Sequence, residues 1–169
     1  MPLIKDGAFA ENSFVRVADG ESLPDGPVVV SLSRFRAERD TLMQRNAPLG
    51  VRLASSESPD AIAADIHHFA LVELEFPKFR DGRGYSYARL LRERFGFRGE
   101  VRAVGDVLRD QWLFMSRCGI DAFEVRPGTR LEDFRAALAE QTVFYQRSSD
   151  RHASIFELRH RKPMGVAAE

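Results

Sequence analysis

Five apolar runs recur along the chain at a spacing that few architectures accept. They begin near residues 28, 51, 70, 100 and 121, and stretches with helical signals lie between them. Val28-Val29-Val30-Ser31-Leu32 is continuous and β-branched rather than alternating, as is expected of a strand buried on both faces. Intervals of about 20 to 30 residues fit βα units, so the expected class is α/β with about five such units in a mainly parallel sheet. Right-handed crossovers leave two arrangements, an open three-layer doubly wound sheet or a curved partial barrel. Cys118-Gly119-Ile120-Asp121-Ala122-Phe123-Glu124-Val125 has the helix–Gly–Asp–strand cadence of barrel units, but five units are too few to close a barrel of eight. Either arrangement brings functional groups to the carboxyl ends of the strands.

Local signals fill in the rest. Asp6-Gly7 and Asp19-Gly20 are turn signals flanking Phe14, Val15 and Val17, which predicts a short N-terminal hairpin at one sheet edge. Helices are expected from Ser33 to about Arg45, from Ser58-Pro59 to His67 or His68, and from Tyr85 to Phe95. A further helix carries Leu108, Trp112 and Met115, with Asp106 as its cap and Gly119 as its stop. Thr129-Arg130-Leu131-Glu132 reads as a capping box for a helix to about Gln141. After that, Phe144, Tyr145, Ile155, Phe156 and Leu158 predict one more edge strand or docking segment.

A chain of 169 residues with 44% hydrophobic and 30% charged content is expected to form one domain, over 1–162, with a mobile tail over 163–169. No apolar run approaches a membrane span, and the N-terminus is charged too early for a signal peptide, so the expected location is cytoplasmic. The net charge is zero but unevenly placed. Residues 1–77 carry 12 acids against 7 bases, whereas residues 78–117 carry 10 bases against 5 acids. Of the 25 bases, 22 are Arg, a bias that suits oxyanion recognition and that a GC-rich genome also produces. Nucleic-acid binding fits poorly at a pI near 6.9.

The basic segment holds the main candidate site. After the run ending at Phe76 come Lys78-Phe79-Arg80-Asp81-Gly82-Arg83-Gly84-Tyr85-Ser86, a cationic loop with two glycines that leads into a helix. Arg80, Arg83 and Arg89, with the backbone of Gly82, Gly84, Tyr85 and Ser86, form an expected anion seat. No Lys-Ser/Thr follows the glycines and no third glycine completes a dinucleotide fingerprint. The competing reading is a solvated turn whose arginines pair with Asp81 and Glu93. Arg109 and Gln111 at the next strand end extend the ligand-binding set, with Glu75 and Asp106 as candidate acids or bases. Glu73 and Glu75 share one strand face, and Arg102 on the next strand is the expected partner of that carboxylate pair. Adjacent His67 and His68 point apart on a helix end, so no metal site is expected. The lone Cys118 excludes an internal disulfide and reads as a structural thiol. Trp112 reads as core or as a docking face. No cofactor signature is evident.

Phe79 to Ser86, Ala88 to Arg92, Gly99 to Gln111 and Arg117 to Phe123 together resemble the bacterial family catalogued as domain of unknown function 934. The likeness is most specific between Phe69 and Val125. The resemblance implies an oxidoreductase or accessory protein of assimilatory sulfite reduction, with sulfite reductase or another sulfate-assimilation enzyme as a partner. It brings no catalytic residues with it. One cysteine and the missing cofactor motifs favour an accessory or oxyanion-binding role over the literal oxidoreductase. An enzyme acting on a small phosphorylated or anionic substrate is the alternative.

Overall fold

The computed structural model describes residues 1–150 and 152–160. Among these residues, eight strands form one sheet: β1 (Leu3–Lys5), β2 (Ala8–Ala10), β3 (Val15–Arg16), β4 (Val28–Ser31), β5 (Leu49–Leu53), β6 (Phe69–Phe76), β7 (Glu100–Gly105) and β8 (Ala122–Glu124). Their order is β2-β1-β8-β7-β6-β5-β4-β3. The pairs from β3 through to β8 are parallel, and β1 lies antiparallel to both β2 and β8. The sheet is therefore mixed, with the five apolar runs and the short β3 forming its parallel part.

The N-terminal expectation needs correction. Asp6-Gly7 does turn a hairpin, β1–β2, and both residues take positive φ there. Val15, however, leaves that hairpin and pairs with Val28 at the opposite edge of the sheet. Only four residues lie between Ala10 in β2 and Val15 in β3, five steps with a reach of about 17 Å for extended chain. In a flat sheet the seven steps between those strands would span about 34 Å. The sheet must curl until its edges approach each other, so the partial-barrel arrangement is the one adopted. Contacts across the concavity confirm the curl. Arg16 of β3 donates to Glu73 of β6 and to Glu124 of β8.

Alternation along the strands sorts the two faces. Val28 and Val30, Val51 and Leu53, Val72 and Leu74, Val101 and Ala103 point outward into a core shared with helical residues such as Phe35, Leu42, Ile66, Leu91, Met115 and Phe134. The intervening residues point into the concavity, and many are charged. Register keeps them in a row, with Arg52 beside Glu73 and Glu73 beside Arg102.

The outer layer contains α1 (Leu32–Ala37), α2 (Arg39–Met43), α3 (Arg83–Arg89), α4 (Trp112–Arg117), α5 (Leu131–Ala139) and α6 (Ile155–His160). Several expected helices are altered. The stretch from Ser33 to Arg45 is broken at Glu38 into α1 and α2. Residues Pro59–His68 are capped by Ser58 as expected but wind as a 3-10 helix. The helix after β6 starts at Arg83, two residues early, and finishes as a π turn over Leu90–Arg94. Asp106 does not cap. The next helical turn starts at Arg109, where the Gln111 side chain accepts from the Leu108 N–H. The capping box at Thr129 is not formed, because the Thr129 hydroxyl donates instead to the Arg126 carbonyl. Gly119 ends α4 with φ 99°, as expected of a glycine stop.

Trp112 is core, packed at 5.1 Å from the Phe134 ring, so it offers no docking face. The late segment docks through Phe144, over which the Arg117 guanidinium sits at 3.6 Å, rather than joining the sheet. The expected tail over 163–169 lies outside the described residues.

Candidate functional site

The cationic loop after β6 folds on itself. Arg83 donates to Asp81 at 2.9 and 2.7 Å and to the Ser55 hydroxyl at 3.0 Å, and its backbone N–H also reaches Asp81. The Arg83 guanidinium, helped by Ser55, holds the Asp81 carboxyl well below the usual carboxylate range. The place an anion would take at the start of α3 is thus occupied by a carboxylate of the same chain. The backbone N–H of Tyr85 is spent on the Gly82 carbonyl at 3.2 Å.

The two glycines play unlike parts. A Cβ at Gly84 would lie 2.4 Å from the Phe76 ring, so this glycine lets α3 settle on β6 and leaves no room for a ligand. Gly82 is exposed, and a Cβ there would meet only Tyr85, at 3.8 Å. Tyr85 stacks edge-on against Phe76 at 5.5 Å, and burial pushes its hydroxyl up to about 12. Ser86 and Arg89 lie on the outer surface of the helix, beside a shallow hollow of about 450 Å³. Arg89 pairs there with Glu93 at 3.1 Å and lowers its pKa. Arg80 is exposed and forms no ion pair with the described residues.

The next strand end is likewise self-paired. Arg109 binds Glu140 at 2.7 Å, and Asp106 accepts from Arg126 at 2.9 Å. Gln111 is buried and ties the loops together, since its Nε2 donates to the Phe79 carbonyl at 3.5 Å. Glu75 accepts from Arg52 at 2.9 Å with both side chains about one-third exposed. The predicted site residues therefore divide between the loop, the outer helix face, the β7 end and, for Glu75, strand β6, and do not converge on one cavity.

What the fold does assemble lies in the concavity. Glu73 is fully buried, and both of its oxygens accept from Arg16 at 2.9 Å, while Arg102 lies 3.4 Å from one of them. Arg102 is itself buried, donates to Glu100 and to the Asn12 side chain, and lies over the Phe14 ring. Glu124 takes the same Arg16 at 2.5 Å, and Lys5 closes the row on Glu100. Burial works against the Arg16 charge, but the carboxylates of Glu73 and Glu124 outweigh it and keep the guanidinium firmly protonated. The Glu73–Arg102 pair was legible from the strand pattern; the role of Arg16, 57 residues away from Glu73, was not.

At the carboxyl ends of β3, β4 and β5 this face opens into a cleft of about 440 Å³, lined by Arg16, Asp19, Val29, Ser31 and Arg52. Among the described residues no cluster of three or more His, Cys, Asp or Glu side chains is placed to hold a metal ion. Cys118 is half-buried, and burial raises its thiol pKa. No helix among the described residues is long and apolar enough to cross a membrane.

The comparison with curated proteins finds no match. Among protein families, the one described as "bacterial protein of unknown function (DUF934)" matches residues 50–156, which run from β5 into α6 and take in the cationic loop and the central strands of the curled sheet. The chain belongs to that family.

Proposed function

We propose that this protein is an accessory component of assimilatory sulfite reduction rather than its catalyst. The reading rests on membership of the family over residues 50–156, with the pathway that the resemblance described above implies. The ion pairs favour accessory over catalytic work. Each candidate acid or cation with a resolved partner is already neutralised within the chain: Arg83 by Asp81, Arg89 by Glu93, Arg109 by Glu140, Glu75 by Arg52 and Asp106 by Arg126. A general acid or base usually has its pKa moved toward the working pH, whereas Arg83 and Arg89 push the Asp81 and Glu93 carboxyls the other way, further into their charged form. Sulfite reductase, or another enzyme of sulfate assimilation, is the partner in this reading.

The test is recovery of the tagged protein from cells grown on sulfate, followed by identification of what comes with it. Sulfite reductase in the eluate, absent from a mock pull-down, is the expected result; its absence from repeated pull-downs after crosslinking overturns the reading. A second reading is an enzyme for a small anionic or phosphorylated substrate, favoured by the cleft at the strand carboxyl ends. Thermal-shift measurements with sulfite, sulfate, phosphate esters, nicotinamides and flavins address it. A shift that is lost in Arg52→Gln supports it, and no shift with any compound removes it.

A further inference from the structure

The cleft at the ends of β3, β4 and β5 is lined by groups of opposite charge, Arg16 and Arg52 together with Asp19 and Glu21. Ser31 and Arg52 are register partners on neighbouring strands and share the concave face. The Ser31 hydroxyl donates at 2.6 Å to Asp19, whose other oxygen accepts from Ser33 at 2.8 Å. Arg52 and Asp19 therefore flank Ser31 from two sides. Arg52 spends only Nη2, on Glu75, and Arg16 spends Nε and Nη2 on Glu73 and Glu124. Among the described residues, Arg52 Nε and Nη1 and Arg16 Nη1 donate to no other group, and both side chains are more than one-third exposed or close to it. Asp19 keeps further lone pairs, because each of its oxygens accepts a single hydroxyl.

The wall behind these groups is fixed. Arg34 is buried and donates to the carbonyls of Ala18 and Glu21, so the 18–21 segment carrying Asp19 is held against α1. A bare dianion meets Asp19 and Glu21 as well as the arginines, and the acids offset the attraction. A ligand with an anionic and a cationic end matches both sets of groups.

We propose that this cleft binds a small zwitterion of the α-amino-acid class, its carboxylate on the unspent donors of Arg52 and Arg16 and its ammonium toward Asp19. This goes beyond the accessory role and does not depend on a sulfite-reductase partner, so a pull-down result leaves it standing or falling on its own test.

The experiment is titration of the full-length protein with the individual protein amino acids, followed by calorimetry and amide chemical shifts of Val29 to Ser31. Acetate, methylamine, sulfite and inorganic phosphate are titrated in parallel. The expected result is saturable binding of at least one amino acid, with the half-molecules acetate and methylamine binding much more weakly. Arg52→Gln and Asp19→Asn should each weaken it by about tenfold or more, since each removes one charge-assisted contact. Asp19 is exposed and Arg52 is half-buried, and unchanged circular dichroism verifies that the variants are folded. Three results overturn the proposal: no amino acid binds at millimolar concentration, sulfite or phosphate binds more tightly than every amino acid, or both folded variants bind as the wild type does.

Discussion

Replacing Arg16 with alanine should open the sheet. Arg16 is the side chain by which the last parallel strand grips the middle of the sheet, through two hydrogen bonds to Glu73 and one to Glu124. Its loss leaves Glu73, which is fully buried, with only the 3.4 Å contact to Arg102. Breaking a buried pair by removing one partner costs about 3–5 kcal/mol. Arg16 is itself 39% exposed and Arg102 remains, so the expected loss is smaller, about 2–4 kcal/mol. For a chain of this length that corresponds to roughly 5–15 °C in melting temperature. Urea unfolding of Arg16→Ala, with a double variant Arg16→Met/Glu73→Gln as control, measures it. The double variant should recover part of the loss, because the buried Glu73 carboxylate is then removed and Glu124 alone is left without its arginine. An Arg16→Ala protein within about 0.5 kcal/mol of wild type would refute the reasoning, since that is the range of an ordinary surface change.

Three further predictions concern the cationic loop after β6 and the helical turns that follow it. Gly84→Ala should destabilise by about 1–3 kcal/mol through overlap with the Phe76 ring, while Gly82→Ala should be near neutral; equal effects in thermal melts would contradict the packing role. Arg92→Met removes donors to the carbonyls of Phe97, Gly99 and Gly119 and to Asp121, and should cost at least about 2 kcal/mol in urea unfolding. Tyr85 keeps its proton in the folded state up to about 12, against 10 when unfolded, so its contribution is fully present below pH 10 and is lost as the pH rises toward 12. Wild-type stability should fall more steeply over that window than that of Tyr85→Phe, and identical slopes would show that the hydroxyl is not buried.

Local pattern carried the parallel strands because a continuous β-branched run has few other uses. The same logic exposed Glu73 beside Arg102, since alternation and adjacency of two strands suffice to place them. Pairings made by the curl were invisible. Val15–Arg16 is a two-residue strand with no periodicity of its own, and it is defined by Val28 and by carboxylates 57 and 108 residues away. The glycines at 82 and 84 illustrate the same limit. Their spacing suggests close approach of a ligand, but what approaches Gly84 is the Phe76 ring, and nothing local in the sequence specifies that ring's position. Arg80, Arg83 and Arg89 give that loop and its helix their positive charge. Whether they bind a ligand or an acid of their own chain depended on where Asp81 and Glu93 came to lie.

The accessory role in sulfite reduction is tested most directly by growth of a strain deleted for the gene, with sulfate, sulfite, sulfide or cysteine as sole sulfur source. The expected result is impaired growth on sulfate and on sulfite, and normal growth on sulfide or cysteine, with growth restored by the intact gene. Unimpaired growth on sulfate and sulfite, or a defect that sulfide fails to cure, would contradict it.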